Sequence, residues 1–182
     1  MNAGIARGGM LAAAVLMIGS TVYAQGPPKP TAEHQKLAYF VGEWKGEGEL
    51  KANPFMPAGK YTTDDDCEWF QGNFAVVCKS EGKGPSGEMK SVFIMGYNAE
   101  EKAYTYYGVD SNGMVPATVA LGKVTGDTWT FHEESKFGGQ LVKSRYTVTQ
   151  VSPKSFSFLW EVQGPDGKWM ALMDGKNTKS GE

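Results

Sequence analysis

The chain has 182 residues, 18 basic and 20 acidic side chains and a formal net charge of −2. That balance argues against a nucleic-acid partner, which asks for a basic face. Arg145 is the one arginine beyond residue 24, so a phosphate or carboxylate clamp built from several arginines is excluded by counting.

Arg7 gives a basic start, Met10 to Ile18 an apolar run, and Val22-Tyr23-Ala24 a small-residue end. That order predicts a secretory signal over residues 1–24, cut after Ala24. The run is too short to span a bilayer and no second one follows, so no transmembrane segment is expected in the mature chain. No cysteine follows the run, which argues against a lipid anchor, and a periplasmic or secreted location is expected. Removing residues 1–24 leaves about 158 residues, enough for one domain with a real core, and 17 basic against 20 acidic side chains. Residues 25–32, with GPPKP at 26–30, read as an extended leader. The domain reads as 33–179.

Thr31 to Val41, TAEHQKLAYFV, predicts one short helix, capped by Thr31, with Leu37, Phe40 and Val41 on one stripe. His34 lies within it and reads as solvated or capping. After Gly42 the chain alternates strand and turn, with strands expected near 42–52, 60–70, 73–82, 88–98, 103–111, 114–125, 128–137, 140–151, 155–163 and 168–176. Glycine, proline, asparagine and aspartate punctuate them every 8–12 residues or so. An all-β fold follows: a closed antiparallel up-and-down β-barrel of about ten strands with a short N-terminal helix, closure removing the exposed edges.

The segment CEWFQGNFAVVC turns about Gly72-Asn73, which sets Trp69 opposite Val76 and Cys67 opposite Cys78. In an oxidising compartment that pairing predicts a structural disulfide. A dithiol redox site lacks the usual Cys-x-x-Cys spacing, and a metal site would need more ligands. Asp64-Asp65-Asp66 reads as a solvated strand, since alternation splits the carboxylates between faces. Asp110-Ser-Asn-Gly113 reads as a tight turn, not a calcium loop, because the later ligands are missing.

Turning about Gly138-Gly139 pairs Trp129 with Val148, Phe131 with Tyr146 and Glu133 with Ser144 on one face. The other face carries Thr130 with Thr147, His132 with Arg145 and Glu134 with Lys143. The GPDG turn at 164–167 predicts Val162 opposite Trp169, Trp160 opposite Ala171 and Phe158 opposite Met173. An odd-length loop at 151–155 sets Val148 beside Phe158 and Tyr146 beside Trp160. The expected inner wall is therefore Trp69, Phe93, Met95, Tyr106, Trp129, Phe131, Tyr146, Phe158, Trp160 and Met173, with Glu133 and Ser144 as its polar contacts. A plain packed core is the competing reading, but ten strands enclose more width than side chains alone fill. Leu159, Met170 and Leu172 share the outward parity of the last two strands and predict either a cover by the helix or a homodimer interface. His132 is expected to point outward.

The stretches HQKLAYFVGEW, Cys67-x-Trp69, MGYNAEEKAY, GDTWTF and DGKWMALMDGKNTK together resemble a bacterial lipocalin-like (calycin) family of unknown function, domain of unknown function 1579, over residues 33–179. Gly42-x-Trp44 after a short helix resembles the start of lipocalins and fatty-acid-binding proteins. The likeness implies that Trp44 packs across the barrel base, stacked on Lys176 or Lys179. No functional residue carries over. The Arg-x-Tyr pair of fatty-acid-binding proteins is missing, since Arg145 and Tyr146 are adjacent and face opposite ways. Nitrobindin-like barrels hold haem by a late histidine, and none follows His132, so no haem or other cofactor is expected.

The expected function is an exported barrel that binds a small apolar or amphipathic molecule in its interior without catalysis. The alternatives are a filled barrel acting as a structural or homodimeric module, and a haem-binding or enzymatic barrel using His132 or Glu133.

Overall fold

The structure is a computed structural model, and it describes residues 27–53, 57–137 and 139–181. The expected signal over residues 1–24 lies outside the described residues. A short helix α1 (Ala32–Lys36) runs into a 3-10 turn at Leu37–Phe40. Ten strands follow: β1 (Gly42–Leu50), β2 (Gly59–Trp69), β3 (Ala75–Gly84), β4 (Gly87–Asn98), β5 (Ala103–Asp110), β6 (Ala120–Thr125), β7 (Thr128–Phe137), β8 (Gln140–Ser152), β9 (Ser155–Gln163) and β10 (Trp169–Lys179). Each pairs with its sequence neighbours, and β1 pairs with β10, closing an antiparallel up-and-down barrel. Every strand thus has two partners, and the sheet has no edge strand.

Alternation along the strands separates inside from outside. In β1, Trp44 and Gly46 are buried while Glu43, Lys45 and Glu47 are exposed. In β2, Tyr61 and Cys67 are buried while Thr62, Asp64, Asp66 and Glu68 are exposed. The β7–β8 ladder follows the glycine turn, with Phe131 opposite Tyr146, Glu133 opposite Ser144 and His132 opposite Arg145. Across β8–β9, Tyr146 meets Trp160 and Val148 meets Phe158. In β2–β3, Cys67 sits opposite Cys78 and the two are disulfide-bonded. The turn between them uses Gly72 and Asn73, both at positive φ, 93° and 59°. The loop spans four residues, 71–74, rather than the expected two: Phe70 N–H donates to the Ala75 carbonyl at 2.8 Å and Asn73 N–H to the Phe70 carbonyl at 2.9 Å, which leaves the register unchanged.

Two further elements differ from the sequence expectation. The β9–β10 hairpin closes with Gly164 N–H donating to Lys168 at 2.8 Å, so three residues rather than two form its tip, and Gly167 supplies the left-handed φ of 80°. Trp169 therefore meets Gln163 and faces outward instead of meeting Val162. A bulge between Ala171 and Met173 then adds a residue and restores the phase, so Met173 is inward but opposite Trp160, not Phe158. The same bulge breaks up the expected outward patch of Leu159, Met170 and Leu172. Leu159 pairs with Asp174 and Thr147, Met170 pairs with Val162 at the rim and is 51% exposed, and Leu172 is buried at 4%.

The other difference is β6, which begins at Ala120 rather than near 114. Residues 111–119 form a loop held by Asp110, whose Oδ1 accepts from the backbone of Asn112 and Met114, and by Tyr107 Oη, which donates to Pro116 at 3.1 Å. Proline brings no N–H to a ladder. As a result β5 pairs with β6 only over Tyr104–Tyr106, and β7 beyond His132 has no β6 residue beside it.

One end of the barrel is plugged. Leu37, Phe40, Trp44 and Trp129 are each exposed by 4% or less, and burying side chains of this size contributes roughly 1.5–3 kcal/mol apiece. Phe40 lies edge-on to Trp129 at 5.1 Å and Trp44 to Phe156 at 4.9 Å. Trp44 Nε1 donates to the Phe40 carbonyl at 2.8 Å, and the Lys179 ammonium lies 5.0 Å from the Trp44 ring centre. His34 is a buried cap: its Nδ1 accepts from Thr31 N–H at 3.1 Å, and its ring meets Phe74 and Tyr97 edge-on. The base is closed by this helix.

Candidate ligand chamber

Inward parity gathers the sequence-predicted wall on one surface. Phe93 stacks at 5.7 Å on Tyr106, Tyr106 lies 5.4 Å from Tyr146, and Tyr146 lies 5.7 Å from Phe158. Phe131 meets Tyr106 at 5.7 Å, Met95 is opposite Tyr106, and Trp160 and Met173 continue the row from Tyr146. The wall divides in two by packing. Trp129 and Phe131 at 1%, Met95 at 4% and Ser144 at 5% have almost no free surface and act as filling. Trp69, Phe93, Tyr106, Glu133, Tyr146, Trp160 and Met173 keep accessible surface.

That retained surface carries information. Trp69 lies toward the plugged end, but Tyr106 and Tyr146 point into a closed barrel and are surrounded by protein on all sides. Their remaining accessible surface belongs to rings that take the inward phase of β5 and β8. Neither hydroxyl has a hydrogen-bond partner among the described residues. Burial pushes both phenols above their ordinary range, with Asp65 adding to the effect in each case and Glu133 in that of Tyr106. Both stay neutral donors and acceptors.

Facing the aromatic wall is a polar side that sequence reasoning missed. The sequence alone places Asp65 in a solvated strand; Asp64 and Asp66 are indeed exposed, but Asp65 points inward. Its Oδ2 accepts from Asn177 Nδ2 at 2.8 Å and its Oδ1 from the Ser80 hydroxyl, with Thr63 alongside. Burial raises the Asp65 carboxyl, and the bonds from Ser80, Thr63 and Asn177 oppose that rise. The signal was present in the parity, because position 65 shares the phase of Tyr61 and Cys67. Tyr61 lies over the glycines of β1 and β10: a Cβ on Gly48 would sit 2.5 Å from its hydroxyl and 2.1 Å from the Asp174 carbonyl oxygen. Those glycines let two strands approach where a side chain would separate them.

Glu133 stands on β7 above the filled layer. Its Oε1 is buried and has no hydrogen-bond partner among the described residues, as is also true of Trp129 Nε1. Burial raises the Glu133 carboxyl, and a hydrogen bond with Ser135 opposes this. The described strand residues set every lysine, arginine and histidine outward except Lys179, which is held over Trp44 at the base. The interior therefore holds carboxyls and phenols without a facing cation.

The remaining predicted positions lie elsewhere. His132 faces out, and Arg145 on the same face bonds Glu161 at 2.6 Å and stacks 4.4 Å from the Trp169 ring centre. Among the described residues no group of three or more metal-ligating side chains could hold a metal ion. Two open grooves of about 360 and 430 Å³ indent the outer wall, along β1–β2–β10 and β5–β6–β7. The first is lined largely by outward charged and threonine side chains, and the second by Ala103, Leu121, Gly122 and His132 together with Glu101, Lys123 and Thr130.

Comparison with known proteins agrees with this architecture. A family model described as "Protein of unknown function (DUF1579)" matches residues 29–179. No curated protein matches the chain. Among solved structures, an S-type phycobiliprotein lyase, CPES, from Guillardia theta is similar with a TM-score of 0.57 at 12% identity, covering 84% of this chain and 94% of that one. Rv2717c from M. tuberculosis is similar with a TM-score of 0.59 at 12% identity, covering 83% of this chain and 99% of that one. At such identity the likeness concerns the fold.

Proposed function

Because the chain belongs to the DUF1579 family of proteins of unknown function, whose name supplies no activity, we propose from the barrel interior that it binds a small amphipathic molecule there without transforming it. The observation that carries this reading is the pair Tyr106 and Tyr146. Both are enclosed by the barrel, both keep solvent-reached surface, and both hydroxyls lack a partner among the described residues. A core built only for stability would bury such rings dry and satisfy their hydroxyls. An apolar wall with a few polar groups is the usual make-up of a small-molecule site.

A binding role without chemistry fits the same residues. The Ser80 hydroxyl that faces the chamber is tied to Asp65, whose other oxygen Asn177 holds, and both histidines, the usual bases for such a hydroxyl, lie away from it. Export fits the signal-like N-terminus and the Cys67–Cys78 bridge, since disulfides persist in oxidising compartments. No helix among the described residues is long and apolar enough to cross a membrane.

Titration with an environment-sensitive apolar dye tests the reading. Saturable fluorescence enhancement is expected, with reduced capacity in Met173→Trp, which adds bulk to the inner wall. Absence of saturable uptake, or uptake indifferent to Met173→Trp, defeats it.

A further inference from the structure

We propose that the chamber selects molecules bearing an N–H or O–H donor, up to a full cation, over molecules ending in a carboxylate, and that Glu133 receives that donor. This rests on the binding role above and specifies its ligand class.

Three observations converge. Glu133 Oε1 is buried without a hydrogen-bond partner among the described residues. Native proteins rarely leave a buried carboxylate oxygen unpaired, and Glu133, which as a residue keeps accessible surface, can offer that acceptor to a donor that arrives beside it. The second observation is the sign of the interior. Asp65 and Glu133 both face inward, whereas Lys45, Lys79, Lys90, Lys123, Lys143 and Arg145 all take the outward phase of their strands. A carboxylate ligand would add a further negative group with no cation to meet it, and in a partly desolvated space that repulsion is only weakly screened. A hydroxyl is tolerated there, and an ammonium is attracted.

Position supplies the third. A register line runs from Met170 at the rim through Val162 and Ser144 to Glu133. Beside it, Phe131, Tyr146, Trp160 and Met173 form the adjoining aromatic and thioether line. On its other side β6 is missing, and the loop 111–119 is tied to this part of β7 by the Thr118 hydroxyl, which donates to the Glu134 carbonyl at 3.0 Å. Glu133 is thus set where a head group would lie once an apolar tail had filled the space against the rings. Asp65 is different in kind: Ser80 and Asn177 already occupy its oxygens. It sets the sign of the interior, and Glu133 makes the contact.

Competition of dodecylamine, dodecanol and dodecanoate for the bound dye tests this with one hydrocarbon tail and three head groups. Amine and alcohol should displace dye at concentrations at least about tenfold below the carboxylate, the scale of one hydrogen bond to a charged group. Glu133→Gln should erase most of the amine's advantage over the alcohol, and Glu133→Met should weaken the alcohol as well. The thermal midpoint of the ligand-free Glu133→Met protein should equal or exceed that of the parent, because a carboxyl with an orphan oxygen favours binding at the expense of the empty state. A purely structural Glu133 would lower that midpoint instead. Dodecanoate binding as tightly as the amine overturns the charge selection. Head-group ratios unchanged in both variants, the pattern expected of an oxygen served by a buried water only, overturn the assignment to Glu133. Failure of all three amphiphiles to displace dye removes the binding role itself.

Discussion

Asp65 offers the sharpest test of the interior. Truncating it to alanine removes the acceptor of Asn177 Nδ2 and of the Ser80 hydroxyl, in residues that are 5% and 6% exposed. Each buried polar group left unpaired costs about 1–3 kcal/mol. The serine rotor can find another partner, so a total of roughly 2–4 kcal/mol is expected. For a chain of this size that corresponds to a fall in melting temperature of roughly 4–16 °C. Asp65→Asn should behave differently. Its carbonyl still accepts from Asn177, and its amide can donate to Ser80 Oγ, so stability near neutral pH should stay within about 1 kcal/mol of the parent. The pH dependence separates the two explanations further. Burial holds the folded Asp65 carboxyl above its unfolded value, so between the two values the folded state binds the proton more tightly. Its contribution to stability is fully present below the unfolded value, about pH 4, and is lost as pH rises through the folded value. Asp65→Asn cannot titrate, and its stability relative to the parent should therefore increase with pH over that window. Urea denaturation followed by far-ultraviolet circular dichroism, run on all three proteins at several pH values, reads both effects. Were Asp65→Ala to lie within about 0.5 kcal/mol of the parent, or the asparagine difference to shrink as pH rises, the buried network would not exist as described.

The Cys67–Cys78 bridge closes a hairpin with a sequence separation of 11; reducing it should lower stability by roughly 3 kcal/mol while the barrel persists, since the register of β2 and β3 is also fixed by Gly72-Asn73 and the buried face. Melting with and without reductant measures this, and collapse of the strand signal on reduction at room temperature would show that the bridge, not the pleat, sets the pairing. Gly48→Ala should be the most damaging methyl in the chain tested singly, because its Cβ would lie 2.1 Å from the Asp174 carbonyl oxygen and force β1 away from β10. A loss of about 3 kcal/mol or no soluble barrel is expected; an unaffected melting temperature would refute the close approach.

Local chemistry settled much of this protein before any tertiary contact. Period-two alternation assigns each side chain of a strand to one face, and a short turn with a fixed number of residues carries that phase into the next strand. Gly72-Asn73 and Gly138-Gly139 therefore yielded the Cys67–Cys78 and Phe131–Tyr146 pairings from residue order alone. The place of Trp44 in the plugged base came instead from the likeness of Gly42-x-Trp44 to the start of lipocalins, and Lys179 proved to be the cation on its ring. The failures came where phase depends on something non-local. Whether GPDG closes over two residues or three, and whether a bulge follows at Leu172, depends on how β10 must bend to reach β1, which no window of sequence records. The start of β6 depended on Tyr107 capturing the Pro116 carbonyl across the loop. Asp65 looked solvated beside two carboxylates that are, and only closure of the ten strands brought Ser80 and Asn177, the latter 112 residues away, onto its oxygens. Pairing rules act between neighbours along the chain, whereas the enclosed volume, the sign of its charge and the orphan oxygen of Glu133 arise only once the first strand meets the last.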